Sequence, residues 1–579
     1  MEVWSVKNHI THSTFTPDEL GVSEIEARIL ANRGVFELKE AEDFLRPETM
    51  DIPSPILMKD MIKAGNILTD GIRNRRRIRI IGDYDVDGMC STTILLRGLS
   101  PLRAEVDFAI GLRTKDGYGI NERLVREAHR DGVEILLTCD NGIVAFEAIE
   151  IAKKLRLSVV VTDHHDPLEE DEQTLLPVAD AVINPKRTGD LYPTKNLCGA
   201  AVAYKLVTYL HTLFGHESME EELLPYAAMA TVCDVMPLVG ENRWIVWRGL
   251  PLIDESSHLG LIALREVSGY KDKPMTVHGL GFGLGPRLNS VGRLEDASEG
   301  VRLLTTESWE EANRLASHFQ ELNDTRKRMT DEAMNRFLSN QQDCGDGIFL
   351  YCDPTVHESL AGLLAGKIKE MIYRPVIMLT RGEQGILKGS GRSIDGVHIT
   401  EMMRRHESLL SAIGGHPKAC GLSLPEENLD ALREALSNEP IEGHLLLRRV
   451  KLDAVLSFKD ITEGLIRRLE RFAPFGEGNP QPLFGTKRCR VLGFRQMGRN
   501  GQFYRLLLEE SGRRQAFVSF LSAEDFLDEI SRRYGRDVAE ALRHGRQVPI
   551  SVSVAYHLVF HTFRGETSIE AQIKHILVE

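Results

Sequence analysis

Acidic residues and histidines directly follow three short apolar segments in the first third of the chain. Three aspartates come after the first segment (IIGDYDVDG), an aspartate and an asparagine after the second (LLTCDNG), and an aspartate with two histidines after the third (VVVTDHH). Short β-branched runs of this kind predict strands. Because the carboxyl ends of parallel strands meet at one edge of a sheet, we expect these side chains to converge there. They are Asp83, Asp85, Asp87, Asp140, Asn141, Asp163, His164 and His165.

Carboxylates and imidazoles brought together in this number predict a metal site. At least five carboxylates would repel one another strongly, and divalent cations remove that repulsion. Mixed aspartate and histidine ligands suit Mn²⁺ or Mg²⁺, with Zn²⁺ as a further option. Two such ions about 3.5–4 Å apart clamp a phosphoryl group and activate water for in-line attack, so no serine or cysteine nucleophile is needed. The pattern therefore predicts hydrolysis of a phosphoester.

Simpler interpretations exist for these motifs taken one at a time. The string DYDVDG resembles the start of a calcium-binding EF-hand loop, but its twelfth position is Ile94 rather than glutamate, and a strand precedes it. A single aspartate after a strand is commonly a helix N-cap, and for Asp140 alone that interpretation is as good as a metal ligand. The coincidence of all three motifs favours the metal site.

The elements that would position these residues alternate between strand and helix, which predicts an α/β fold with a mostly parallel sheet. Apolar residues at helical spacing, uninterrupted by Gly or Pro, predict one long connecting helix over 307–340. A second α/β block spans about 345–435, and closely spaced strands beyond the Pro- and Gly-rich stretch 474–485 predict a small β-barrel. The predicted strands of the first sheet are 77–81, 133–138, 158–162 and 181–183, with helices at 90–99 and 145–155.

The length of 579 residues favours three or four domains over one. The predicted elements divide the chain into five parts. These are an N-terminal helical segment (1–48), a catalytic α/β domain (49–305), a connecting helix (306–342), a phosphate-binding α/β domain (343–440) and a barrel that binds nucleic acid (441–579).

The motifs DYDVDG, DNG and DHH resemble the first three motifs of the DHH phosphoesterase superfamily, and ATVCDVMPL resembles the fourth, which supplies Asp234. Further matches are DGYGI, CGAAVAYKL, GPRLNSVGR, GSGRS and GGHPKACGLSL, so the resemblance extends from about residue 20 to the C-terminus. It implies a parallel-sheet DHH domain, a second α/β DHH-associated domain and a C-terminal OB-like barrel. Within the superfamily the pattern is similar to that of exonucleases specific for single-stranded DNA. This implies removal of mononucleotides in the 5′→3′ direction, in DNA repair and recombination.

The resemblance also implies roles for individual positions. Asp83 would be a further metal ligand or an acid behind the ligands, and His165 would contact the scissile phosphate. The implied cofactor is Mn²⁺ or Mg²⁺, with two ions per active site. The implied catalytic residues are Asp83, Asp85, Asp87, Asp140, His164, His165 and Asp234, of which Asp85, Asp87, Asp140, His164 and Asp234 would be the metal ligands.

Two small-residue segments of the second block predict anion-binding loops. In GSGRS (389–393), glycine lets the backbone approach an anion, serine donates a hydrogen bond and arginine grips phosphate with two nitrogens. A tight turn explains either segment alone, but GGH (414–416) in the same domain favours phosphate. The resemblance implies that this domain holds the terminal phosphate of the strand. The candidate phosphate- and substrate-binding residues are Arg113, Arg287, Asn289, Ser390, Gly391, Arg392, Gly415 and His416.

The C-terminal region is basic although the chain carries a formal net charge of −14. Residues 451–579 contain 20 Lys and Arg against 16 Asp and Glu, and aromatic residues lie among the arginines. This pattern is typical of a groove for single-stranded nucleic acid, whereas the simpler interpretation is a barrel with aromatic residues inside and arginines outside. The candidate DNA-binding residues are Arg490, Arg495, Arg499, Phe503, Tyr504 and Arg505.

Other features of the composition exclude several classes of protein. The eight cysteines are scattered without a CxxC pair, which argues against a disulfide framework and predicts a cytoplasmic location. No stretch approaches the ~18 apolar residues of a membrane span, and the start lacks the apolar region of a secretory signal. We expect a monomer that acts on single-stranded DNA, and the resemblance adds a single-strand-binding protein and a helicase as candidate partners. The open alternatives are a phosphodiesterase for short oligoribonucleotides or cyclic dinucleotides, and a DHH-fold scaffold that binds DNA without cutting it.

Overall fold

The computed structural model describes residues 2–340, 347–382, 385–563 and 566–579. Clustering of contacts divides the chain into two compact units, each assembled from separate stretches of sequence. The first unit contains residues 53–236 and 248–448, and the second contains residues 3–52, 237–247 and 449–579. Among the described helices of 18 or more residues, none carries the apolar window that crossing a membrane requires.

The N-terminal stretch belongs to the second unit and is not entirely helical. Its first strand pairs with Arg448–Leu452, far along the chain. Three short helices follow, two of them started by a Thr or Ser capping box at Thr16 and Ser23. The elements are β1 (Glu2–Val6), α1 (Pro17–Leu20), α2 (Glu24–Asn32) and α3 (Leu38–Leu45).

The first unit contains the predicted parallel sheet, which has five strands in the order β3-β2-β4-β5-β8. Every neighbouring pair is parallel, and the three central strands are almost continuously buried. The fold class is therefore confirmed, and β3 is an edge strand that the sequence did not reveal. The strands are β2 (Ile78–Gly82), β3 (Val106–Ile110), β4 (Ile135–Cys139), β5 (Ser158–Thr162), the short hairpin of β6 (Glu169–Glu170) and β7 (Gln173–Thr174), and β8 (Ala181–Ile183).

Helices surround this sheet, and the predicted connecting helix is α15 (Trp309–Ser339), 31 residues long. A π-helical turn at Gly279–Leu284 leads directly into α13. The helices before α15 are α4 (Met61–Arg73), α5 (Val86–Leu99), α6 (Arg113–Asp116), α7 (Glu122–Arg130), α8 (Phe146–Lys154), α9 (Gly199–Phe214), α10 (Glu220–Cys233), α11 (Gly240–Glu255), α12 (Leu259–Val267), α13 (Gly285–Leu294) and α14 (Ser298–Thr305).

The second α/β block is also part of the first unit, and its sheet has the order β12-β13-β11-β10-β9. Only the β9–β10 pair is parallel among the described pairs. The elements are β9 (Phe349–Cys352), α16 (Ala361–Ile372), β10 (Val376–Arg381), β11 (Ile386–Arg392), α17 (Ile399–Arg404), β12 (Ala412–His416), β13 (Ala419–Pro425) and α18 (Leu429–Ser437).

The second unit is built on a closed five-stranded barrel, which confirms the predicted OB-like fold. The order β16-β17-β18-β20-β19 closes through a further β16–β19 pairing. Its elements are β14 (Arg448–Leu452), β15 (Ala454–Val455), α19 (Glu463–Glu470), β16 (Phe484–Met497), β17 (Phe503–Glu510), β18 (Arg513–Ser519), α20 (Ala523–Tyr534), α21 (Arg536–Arg543), β19 (Ser551–Phe563) and β20 (Glu566–Val578).

Candidate active site

The loop after β2 places its aspartates against two helix N-termini. Asp85 is the N-cap of α5, and its Oδ1 accepts the backbone N–H groups of Asp87 (2.9 Å) and Gly88 (3.1 Å). Asp87 is buried, and its two oxygens accept the N–H groups of Gly199 and Ala200 at 2.7 Å each, at the start of α9. Helix N-termini favour negative charge, so both carboxylates are held in fixed directions.

Asp140, at the end of β4, has a left-handed backbone (φ 62°) and does not cap a helix, because α8 begins only at Phe146. The Asp140 N–H donates to the Thr162 carbonyl oxygen (3.1 Å), and the Asp140 carbonyl oxygen accepts a hydrogen bond from the Tyr118 hydroxyl (2.5 Å). Gly199 is required beside it, because a Cβ there would lie 2.6 Å from the Asp140 Cβ. Because Ala145 is the N-cap of α8, the N-cap interpretation of Asp140 is wrong.

Asp163 orients the histidines; it was expected at this edge of the sheet, but no catalytic or metal-binding role was predicted for it. Its Oδ1 accepts the N–H groups of His164 (2.7 Å) and His165 (3.1 Å) and lies 2.8 Å from His165 Nδ1. Although burial opposes charge on both groups, their contact holds the pKa of Asp163 below its usual value and raises that of His165 to about 9. The signal in the sequence was the first letter of the DHH motif itself.

The predicted ligands converge around His164. Its Nε2 lies 3.0 Å from Asp140 Oδ1, 3.5 Å from Asp87 Oδ2 and 3.6 Å from Asp234 Oδ2. Asp234 follows α10, as the fourth motif implied. Potential ligand atoms lie within 4.8 Å of one another in three overlapping groups: Asp140, His164 and His165; Asp87, His164 and Asp234; Asp83, Asp85 and Asp140.

These donor atoms fit divalent cations. Buried polar groups in folded proteins are almost always hydrogen bonded, yet several here have no such partner. Burial, followed by the neighbouring carboxylates, raises the pKa of Asp140 well above its usual value, and burial lowers the pKa of His164. A neutral imidazole beside crowded carboxylates is the donor set that a cation would satisfy. The buried atoms without a hydrogen-bond partner are Asp83 Oδ1, Asp140 Oδ1, Asp234 Oδ2 and both ring nitrogens of His164.

A cavity of about 370 Å³ in the same unit carries strong positive charge. Arg293 Nη1 donates to the Ser359 carbonyl oxygen and Arg392 Nη1 donates to Ser390 Oγ, both at 2.8 Å. Among the described residues that line the cavity there is no carboxylate. Burial lowers the pKa of Arg293 to about 10 and that of Arg392 below its usual value. The lining residues are Arg113, Arg293, Ser359, Gly362, Leu363, Gly366, Lys367, Ser390 and Arg392.

The two predicted phosphate loops, GSGRS and GGH, lie in strands β11 and β12, so that successive residues face opposite sides of the sheet. Ser390 and Arg392 share one face of β11 and line the cavity. A Cβ at Gly391 would lie 2.5 Å from Cys420 Sγ, on the other face of the strand, and Gly391 is not among the lining residues of the cavity. Its predicted contact with phosphate stays a prediction. Gly415 and His416 lie in the exposed edge strand β12, and His416 Nδ1 is 3.4 Å from Asp166 Oδ2.

Arg287 is held by protein groups, and its predicted contact with phosphate stays a prediction. Its guanidinium is buried and donates to Gln320 Oε1 (2.8 Å) and to the carbonyl oxygens of Gly283 (2.6 Å) and Val267 (3.2 Å). Three of its five N–H bonds are used in this way. Arg293, from the same GPRLNSVGR motif, lines the cavity instead. Asn289 is half-buried, and its role stays a prediction.

On the barrel, the two predicted aromatic residues, Phe503 and Tyr504, lie on opposite faces of β17. Tyr504 is fully buried and stacks on Phe526 at 4.9 Å, so its predicted contact with DNA is wrong. Strand alternation sends Phe503 outward, where it meets Phe520 at 5.5 Å, and Phe520 is 54% exposed. Phe520 was missed because it lies beyond the basic run.

The predicted arginines differ in what surrounds them. Arg495 and Arg505 are exposed and face each other across β16 and β17. Like charges opposite each other are unfavourable without an anion between them, which makes this pair a suitable phosphate contact. Arg490 forms an ion pair with Glu509 (2.8 Å), and Arg499 is exposed after β16.

Fold and site together define a DHH-type phosphoesterase extended by two further domains. Family models match at residues 77–231 (DHH family, N-terminal domain), 345–439 (DHHA1 domain) and 452–575 (RecJ OB domain). The chain belongs to the RecJ family.

Several relatives carry the name single-stranded-DNA-specific exonuclease RecJ. That of Dickeya dadantii is 33% identical, with 99% of each chain covered. That of Bacillus subtilis is 35% identical over 88% of this chain but 64% of its own length, so this chain spans less than two thirds of that relative. A crystal structure of RecJ from Thermus thermophilus in complex with Mn²⁺ is similar, with a TM-score of 0.81, 28% identity and coverage of 99% of this chain and 79% of that one. Another structure from that organism contains Mg²⁺.

Proposed function

We propose that this chain is an exonuclease that removes mononucleotides from the 5′ end of single-stranded DNA with two divalent cations, in DNA repair and recombination. One observation carries the proposal: the carboxylate cluster and the basic cavity lie in the same compact unit. Tyr84, the residue between Asp83 and Asp85, connects them through its contact with Arg113 of the cavity. The relatives' printed name supports single-stranded DNA as the substrate. The 5′ polarity rests on the cavity acting as a pocket for a terminal phosphate.

The metal ions would be held by the five predicted ligands, with Asp83 beside them. Bound there, they supply charge neutralisation and Lewis-acid activation of water. The chain's own groups do the rest. His165, held by Asp163, would donate a hydrogen bond to a non-bridging oxygen of the scissile phosphate. The five predicted ligands are Asp85, Asp87, Asp140, His164 and Asp234, and each belongs to a group of side chains that could hold a metal ion.

The terminal phosphate would occupy the basic cavity. Arg113 comes from the DHH domain, whereas Ser390 and Arg392 come from β11 of the second α/β domain. Guanidinium groups bind phosphate oxygens through paired hydrogen bonds, which suits a dianionic end group. We expect the cavity to prefer a 5′-phosphate over a 5′-hydroxyl end.

The barrel would contact the remainder of the strand. Phe503 and Phe520 supply a stacking surface for bases, and Arg495 and Arg505 supply positive charge for the backbone. We further propose that the chain works as a monomer in the cytoplasm, with a single-strand-binding protein and a helicase as partners. The seven described cysteines are all unpaired, in keeping with a reducing compartment.

A substrate comparison tests the proposal. The full chain is incubated with Mn²⁺ and end-labelled single-stranded DNA, duplex DNA, single-stranded RNA and a cyclic dinucleotide. We expect chelator-sensitive degradation of single-stranded DNA above all, with Asp140→Asn inactive. Faster cleavage of the cyclic dinucleotide or of RNA would support the small-substrate phosphodiesterase instead, and binding without metal-dependent cleavage would support the scaffold.

A further inference from the structure

Tyr84 lies between two of the acidic residues of the metal site and beneath an arginine of the basic cavity. It separates Asp83 from Asp85 in the loop after β2, and its side chain is half-buried. The Arg113 guanidinium carbon lies 4.8 Å from the centre of its ring. This is the geometry of a cation–π contact, in which the ring face attracts and orients the cation.

A second contact fixes Tyr84 from the side of α13. A Cβ added to Gly292 would lie 1.9 Å from the Tyr84 carbonyl oxygen, so only glycine lets the helix approach this closely. The next residue is Arg293, which lines the cavity and donates to Ser359. Tyr84 is thus packed against both elements that present the DHH domain's arginines to the cavity.

We propose that Tyr84 is a positioning residue that holds Arg113, and with it the terminal phosphate, at a fixed distance from the metal site. The inference rests on the proposed function and deepens it. With the terminal phosphate seated, the first phosphodiester bond is placed beside the carboxylates, and the ring of Tyr84 sets that spacing. The contact thereby contributes to preference for a 5′-phosphate rather than to the chemical step itself.

The test measures kcat/KM of the full chain on two single-stranded oligonucleotides that differ only in a 5′-phosphate or a 5′-hydroxyl. Tyr84→Leu removes the ring, and Tyr84→Phe keeps it as the matched control. A cation–π contact is worth between about 3-fold and 30-fold, so Tyr84→Leu should lower the phosphate preference by that factor, mainly through KM. Tyr84→Phe should keep the preference. In an Arg113→Ala background, Tyr84→Leu should change the preference no further.

Equal losses on both oligonucleotides in Tyr84→Leu, or additive losses with Arg113→Ala, would overturn the inference. Thermal unfolding with and without Mn²⁺ checks that each variant folds and binds metal. If Tyr84→Leu fails to fold, Tyr84→Met fills the space without a ring and carries the same expectation. A wild-type chain that degrades DNA without phosphate preference would refute the proposed pocket. A preference for 5′-phosphate that survives in Tyr84→Leu and in Tyr84→Met would refute only the role of Tyr84.

Discussion

Asp140 and Asp163 follow neighbouring strands but have opposite roles, and the hydrogen-bond donors around each carboxylate decide which role it has. Asp163 accepts several N–H groups, and contact with His165 holds its pKa below the usual value despite burial. Asp140 is equally buried, but its Oδ1 has no hydrogen-bond partner, and burial and nearby carboxylates raise its pKa. Asp163 therefore stabilises the folded chain, whereas Asp140 stores repulsion that a cation relieves.

Asp140→Asn should raise the melting temperature of the metal-free chain by about 1 °C, the shift that roughly 1 kcal/mol produces in a unit of almost 400 residues. The pKa of Asp140 is raised in the folded state, so its destabilising effect grows as pH rises above the unfolded value. The increase in melting temperature of Asp140→Asn over the wild-type chain should therefore be larger at pH 8 than at pH 5. Scanning calorimetry in chelator measures it.

Mn²⁺ should raise the melting temperature of the wild-type chain but not that of Asp140→Asn. Asp163→Asn is the matched control, and it should lower stability without metal, because the lost carboxylate has a lowered pKa. A stabilised Asp163→Asn, or a full Mn²⁺ shift in Asp140→Asn, would contradict these assignments.

At the scale of elements, the sequence predicted the parts whose pattern is local. Strand 158–162 was predicted with the bounds that the structure gives, because it is a continuous apolar run between turns. β3 was missed because Asp107 interrupts it at the sheet edge, where it pairs with Arg79. GSGRS was taken for a loop because its composition is typical of turns, whereas pairing of β11 with β10 and β13 makes it a strand. Long-range pairing of this kind leaves no local signal.

Strand alternation on β17 predicts that Phe503, and not Tyr504, contacts DNA, together with Phe520, which lies beside Phe503 just after β18. Phe503→Ala and Phe520→Ala should each weaken binding of a single-stranded oligonucleotide by about 1–3 kcal/mol, the usual value of a base stacked on a ring. Tyr504→Ala should instead lower the free energy of unfolding by about 3–5 kcal/mol, because it leaves a cavity in the barrel core. Fluorescence anisotropy and chemical denaturation separate the two effects. Unchanged DNA affinity in the double variant of Phe503 and Phe520 would reject this surface.

At the scale of the whole molecule, the second unit is assembled from three stretches of chain. Residues 3–52 pack with the barrel in one apolar cluster, which includes Leu30, Phe44, Phe472 and Phe484. Arg243, from the middle stretch, donates to the carbonyl oxygens of Phe472 (2.9 Å) and Ala473 (2.7 Å). The sequence predicted the barrel but not these attachments, because they join residues hundreds of positions apart.

Deleting residues 451–579 should therefore do more than remove a DNA-binding surface. The deletion would expose the apolar side chains of α2 and α3. It would also remove the carbonyl acceptors of Arg243 in residues 471–474, so that only the Phe44 carbonyl oxygen remains. We expect the truncated chain to aggregate or lose cooperative unfolding, as measured by light scattering and calorimetry. A soluble truncated chain with an unchanged melting profile would show that the N-terminal stretch folds independently.

The central claim is that this chain cuts single-stranded DNA one nucleotide at a time from its 5′ end, and the first labelled product tests it most directly. A 5′-phosphorylated strand labelled at the 5′ end, and the same strand labelled at the 3′ end, are digested with Mn²⁺ and stopped during the first turnover. The account predicts that the 5′ label appears at once as a mononucleotide while the 3′ label stays in long fragments. Early release of the 3′ label, or internal fragments from either strand, would contradict it.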